Sequence, residues 1–117
     1  MNMSSLADQL APHTGSETIF RHPLFGKRYT EGVKHMADLV GAYWLIDLIF
    51  SHQISKKARA TEFQVWRIVS AKGRATISMT DGNGGKPLIQ QKTATDFPEG
   101  QLDLWYCNNT LYLPSEH

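Results

Sequence analysis

One cysteine, Cys107, stands in the 117 residues, so no internal disulfide can form. That fits a reducing compartment and argues against a small secreted module stapled by bridges. Excess charge is missing too: 12 Lys and Arg against 11 Asp and Glu leave a formal net charge of +1. No bulk field therefore draws the chain to nucleic acid, acidic lipid or a basic partner, and any such contact requires a local patch. The longest apolar run, residues 39–50, contains Asp47 and falls well short of the ~20 residues a membrane span needs. Residues 1–10 lack the basic start and apolar core of a secretory leader. These absences lead us to expect a cytoplasmic protein with no membrane span. Paired Cys/His spacings and HExxH are also absent, so we expect no metal and no small-molecule cofactor.

What is present is enough for a core: 41% of residues are hydrophobic, and a chain of this length buries roughly two-thirds of its unfolded surface. Ser5, Leu6, Ala7 and Leu10 predict a short N-terminal helix capped by Ser5, ending through Pro12 and residues 13–16. Residues 18–20 and 24–29 read as short extended segments around Pro23. Thr30 is an N-cap, with Glu31 suited to the positive end of a helix dipole. Val33, Met36, Ala37 and Val40 then give one apolar face. Beyond Gly41 the pattern becomes apolar nearly all round, which predicts burial on every side. Gly41 is expected to mark close packing or a slight bend.

Residues 54–61 carry Lys56, Lys57 and Arg59 and separate the two halves. After them the period turns strand-like: residues 62–70, 75–80, 88–94, 102–106 and 111–113, with turns at Gly73, at residues 81–85, at Pro98 and at Asn108-Asn109. The expectation is an α+β domain over residues 1–117, with residues 1–53 mainly helical and 62–113 an antiparallel sheet. The sheet is a four- to five-stranded meander, with one long buried helix and the short N-terminal helix on one face.

Asp47 is the most unusual residue, because a carboxylate in an all-apolar helix is costly unless it is paired. Its expected role is a polar pin of the core, hydrogen-bonded to loop amides or to an arginine such as Arg67. The rival reading pairs it with His22 or His52 in a small catalytic site. The other histidines, His13, His35 and His117, form no ligand set, and no catalytic residues are assigned. Residues 81–85 fit neither a dinucleotide fingerprint nor a calcium loop, because Pro87 and Lys92 fall where those need Gly and Glu. The residues proposed to touch a partner are Lys56, Lys57 and Arg59 as a basic cluster, and Trp66 and Trp105 if they lie on the open sheet face beside Tyr112.

Several blocks together resemble a known family: Tyr29-Thr30-Glu31-Gly32-Val33, Gly41-Ala42-Tyr43-Trp44-Leu45-Ile46-Asp47, Glu62-Phe63-Gln64-Val65-Trp66, Thr95-Asp96-Phe97-Pro98 and Leu113-Pro114-Ser115-Glu116-His117. This is a family of small uncharacterised proteins from bacterial, phage and mobile-element genomes, and it carries no activity or site residues. The resemblance implies an accessory factor, including inhibitors of host defence such as anti-CRISPR proteins. The function expected is thus non-catalytic binding of another protein or nucleoprotein complex, such as a CRISPR effector, by steric block. A homodimer built on an exposed sheet edge or aromatic face is the third possibility. The working surface is expected on the side of the sheet away from Asp47.

Overall fold

Gly41 breaks the long helix in two. In the computed structural model, which describes residues 2–13 and 18–116, its φ of 65° is left-handed, a conformation that costs glycine little. Ala42 N–H bonds back to Ala37 O at 3.0 Å and completes a Schellman ending. Helix α2 is therefore Glu31–Val40 and helix α3 Tyr43–Ser51. The slight bend expected at Gly41 is a full stop, because the left-handed residue turns the chain out of the helical path. Across the break, Tyr43 Oη–H donates to Asp38, which also accepts from Lys34 Nζ at 2.8 Å. These bonds hold the Lys34 ammonium and the Tyr43 phenol protonated above their ordinary ranges and keep Asp38 below its own.

The N-terminal helix α1, Met3–Leu10, begins earlier than Ser5: Asn2 caps it, its Oδ1 accepting from Ser5 N–H at 2.8 Å. Its expected ending at residues 14–16, together with Met1, Glu17 and His117, lies outside the described residues. Thr30 caps α2 as expected, its hydroxyl accepting from Val33 N–H at 3.3 Å. The basic cluster is a single helical turn, α4 (Lys56–Arg59), rather than a loop, with Ser55 capping it through Ala58 N–H.

Among the described residues, seven strands form one sheet: β1 Ile19–Arg21, β2 Arg28–Thr30, β3 Gln64–Ala71, β4 Arg74–Thr80, β5 Ile89–Ala94, β6 Gly100–Cys107 and β7 Thr110–Tyr112, in the order β1-β2-β7-β6-β3-β4-β5. The expected four- to five-stranded meander covers only part of this. The early β1–β2 hairpin joins the sheet as well, β2 lying parallel to β7 while every other pairing is antiparallel. Short strands with little alternation hide such a long-range parallel pairing from the sequence. The α+β class holds, and the sheet is mostly antiparallel.

The period of two divides the sheet cleanly. Trp66, Ile68, Ile77, Met79, Leu104 and Leu111 face the helices and are fully buried. Leu6, Val33, Met36, Leu45, Ile49 and Phe50 meet them from the helical layer. Among the described residues, no helix lies over the opposite face. Among the described residues, no helix is long and apolar enough to cross a membrane.

Candidate binding face

Asp47 does not sit in the core. Helix α3 buries Leu45, Ile46, Ile49 and Phe50 but turns Tyr43, Asp47 and Ser51 outward, and the Asp47 side chain is 58% exposed. Its partner is neither a loop amide nor Arg67. His22 Nε2 lies 2.5 Å from Asp47 Oδ1. His22 Nδ1 faces the backbone N–H groups of Leu24 and Phe25 at 3.1 and 3.3 Å, so it accepts, and the ring proton sits on Nε2, donating to Asp47.

This geometry bears on the two readings of Asp47. A catalytic imidazole needs one nitrogen for its orienting carboxylate and the other open to substrate. In His22 the second nitrogen is filled by two amides, and the ring is wedged against Phe25 and Phe50. The pair works as a clip, fastening the β1–β2 hairpin to α3. His52, the other suggested partner, is far along the sheet, bonded to Gln91 of β5 at 3.0 Å. Asp47→Asn keeps an acceptor for His22, so we expect it to change stability by less than about 1 kcal/mol, whereas His22→Ala costs about 2–3 kcal/mol by emptying a buried site and orphaning two amides. Urea midpoints check this; an activity of the wild-type protein that is lost in a stably folded Asp47→Asn protein would return chemistry to the pair.

Of the other histidines, His117 lies outside the described residues. His13 and His35 share one hydrogen bond of 2.8 Å beside α2. Among the described residues, no three His, Cys, Asp or Glu side chains converge as metal ligands.

The five residues expected to touch a partner separate into three groups. Trp66 is fully buried on the helical side, its indole N–H held by Gln64 Oε1 at 2.8 Å, and it has no exposed surface to offer. Strand parity explains the correction: Trp66 and Trp105 differ in parity in the β3–β6 register, where Trp66 pairs with Leu104 and Val65 with Trp105. Trp105 lies on the open face, edge-on to Phe63 and to Tyr112, with centroids 5.2 and 6.2 Å away. Lys56, Lys57 and Arg59 are exposed on α4, at the edge of the helical layer.

Register shows what else shares the open face. The row through Trp105 is Thr80, Val65, Trp105 and Tyr112; the next is Ser78, Arg67 and Asp103. Arg67 donates two bonds to Asp103, at 2.9 and 3.1 Å, a paired arrangement that holds the guanidinium charged. Glycine-rich residues 82–85 close one side, leaving a groove of about 440 Å³ against Val65, Arg67 and Trp105. Gly82 (φ 86°) carries the loop over Val65 and Phe63. Sequence reasoning placed these residues in a hairpin turn and had no means of showing that the turn walls a groove.

Another exposed feature was not anticipated. The tip of the β1–β2 hairpin presents Leu24, 84% exposed, beside half-exposed Phe25, on a turn held by the His22 ring.

The comparisons with known proteins agree with the blocks noted in the sequence. A family profile matches residues 4–117, and its description is a family of unknown function, DUF6876. Neither the curated proteins nor the solved structures gave a match. With the profile spanning nearly its whole length, the chain belongs to the DUF6876 family of unknown function.

Proposed function

We propose that the protein is a non-catalytic binding protein that occupies a surface of a larger protein or nucleoprotein assembly with the open face of its sheet. The observation that carries this reading is the uncovered face itself: Val65, Val69, Trp105 and Tyr112 lie partly exposed among polar side chains, with a groove beside them. Isolated apolar residues on a surface are ordinary, but an aromatic row on a rigid sheet is the composition of contact surfaces. The His22–Asp47 geometry supports binding over catalysis, because its imidazole has no nitrogen left for a substrate. The most specific form of the proposal is a phage- or mobile-element-borne inhibitor of a CRISPR effector, which rests on the genomic context implied by the sequence resemblance.

Affinity capture from a host carrying CRISPR effectors tests the reading. The wild-type chain is compared with a Val69→Asp, Trp105→Ser double variant and with Lys56→Glu, Lys57→Glu, Arg59→Glu, all checked for unchanged fold by circular dichroism. We expect the sheet variant to lose its partner by tenfold or more and the α4 variant to keep it. Retention by the sheet variant with loss by the α4 variant moves the site to the basic turn, and no partner for any chain removes the proposal.

A further inference from the structure

A net charge of +1 conceals a segregation of charge that the register exposes. The open-face side chains within the strands include five cations, Arg21, Arg28, Arg67, Arg74 and Lys92, all exposed, against one acid, Asp103. On the opposite side, helices α1–α4 carry Asp8, Glu31, Asp38 and Asp47 against Lys34, Lys56, Lys57 and Arg59. The open face is thus cationic while the helices opposite it balance, and this is the local patch that a near-neutral chain needs in order to hold a polyanion.

The cations are not scattered. Arg21 and Arg28 share the row beyond the Trp105–Tyr112 row, while Arg67, Lys92 and Arg74 lie on the rows to its other side. With strands about 4.8 Å apart and same-face residues about 6.7 Å apart along a strand, the diagonal from Arg28 through Arg67 to Lys92 is roughly 30 Å long. Trp105 and Tyr112 sit midway along it, next to the groove of about 440 Å³ whose wall includes the Arg67–Asp103 pair.

We propose that this face binds single-stranded nucleic acid, the phosphates following the diagonal of arginines and lysine and an unpaired base lodging at the Trp105 groove. The inference rests on the reading that the open face is the working surface, and names the component of the assembly it meets. A basic track with aromatic side chains set into it is how sequence-tolerant single-strand binders are built, since every base has a face to stack while the backbone supplies the charge. A duplex keeps its bases stacked inside and has no use for the aromatic row. An acidic protein has no base for the groove.

The probe is a fluorescein-labelled twelve-residue oligothymidylate, followed by anisotropy with the intact chain. Four or five phosphate contacts give a slope of log K on log salt of about −3, so affinity falls about sixty-fold between about 50 and 200 mM salt. The Arg28→Glu, Arg74→Glu variant should bind at least tenfold more weakly with a shallower slope, and Trp105 fluorescence should change on binding. A duplex of the same length should bind at least tenfold more weakly than the single strand. No binding at about 50 mM salt overturns the inference, as does binding insensitive to Arg28→Glu, Arg74→Glu but lost in Lys56→Glu, Lys57→Glu. If the oligonucleotide is ignored while an acidic protein or anionic vesicles are held through Val69 and Trp105, the nucleic-acid assignment fails and the open-face reading stands. If open-face changes affect no ligand at all, both fail.

Discussion

Trp66→Ala should lower unfolding stability by about 3–5 kcal/mol, a large share of the roughly 5–15 kcal/mol that holds a domain of this size. Trp66 is among the largest side chains with no exposed surface, and it stands in the inner strand β3 between Met79 and Leu104. Its loss removes apolar burial and leaves a cavity that the surrounding strands cannot close. It also strips a donor from a saturated buried network. Gln64 and Gln53 exchange paired amide bonds of 2.8 Å, and Gln64 Nε2 also reaches Ala58 O at 3.1 Å. Trp66→Phe keeps most of the volume and loses only the indole N–H, so its cost is about 1–3 kcal/mol. Urea denaturation of the two variants separates the terms; a Trp66→Ala protein within about 1 kcal/mol of wild type would contradict the packing described.

The second large effect is expected where the last described residue of the chain meets the start of α2. Glu116, on a 3-10 turn after β7, accepts from Thr30 Oγ1–H at 2.7 Å, Leu113 N–H at 2.9 Å and Gly32 N–H at 3.3 Å. A carboxylate at the start of α2 answers both its orphan amides and its dipole. Gly32 is the residue that makes room, since a Cβ there would lie 2.6 Å from the Glu116 carboxylate and 2.7 Å from Leu113 Cδ1. In an open helix, alanine is better than glycine by about 1 kcal/mol. Here Gly32→Ala should instead destabilise by about 1–3 kcal/mol through overpacking. Glu116→Ala should cost about 2–3 kcal/mol by leaving a buried hydroxyl and two amides without their acceptor. The pair is coupled: the double variant should lose less than the sum of the singles, because removing the carboxylate clears part of the space. Thermal or urea melts of the three proteins form the cycle. Strict additivity, or a stabilising Gly32→Ala, would show that the close approach does not exist.

Helix caps, strand positions and the α+β class were legible because each is a local pattern: Thr30, the alternation in residues 75–80, the turn at Asn108-Asn109. What stayed hidden was long-range. Nothing local tells Thr30 that its hydroxyl meets Glu116, or β2 that it lies parallel to β7. Asp47 was misjudged because an apolar window of nine residues does not reveal which three turn outward, and a clip to His22 costs only one exposed position. Trp66 and Trp105 were taken together although they belong to opposite faces, a distinction fixed by register and not by composition. The charge segregation was invisible for the same reason, since a sum over the chain erases the side of the sheet.

The blocks that carry the family resemblance fall at structural nodes. Gly41 ends α2, Gln64 and Trp66 anchor the amide network, the Phe97 carbonyl accepts from the Ser70 hydroxyl at 3.0 Å, and Thr30 and Gly32 meet Glu116. Motifs that maintain a fold describe the scaffold, while the five open-face cations all lie outside them.

Side-chain footprinting of the chain with and without its captured partner tests the working surface most directly. Carbene or hydroxyl-radical labelling should fall at Trp105, Tyr112, Val69 and Lys92 when the partner is present, and stay unchanged at Tyr43, Trp44 and Leu24. Protection confined to the helices, to Lys56 and Lys57 or to the hairpin tip, with Trp105 labelled equally in both states, would contradict the account.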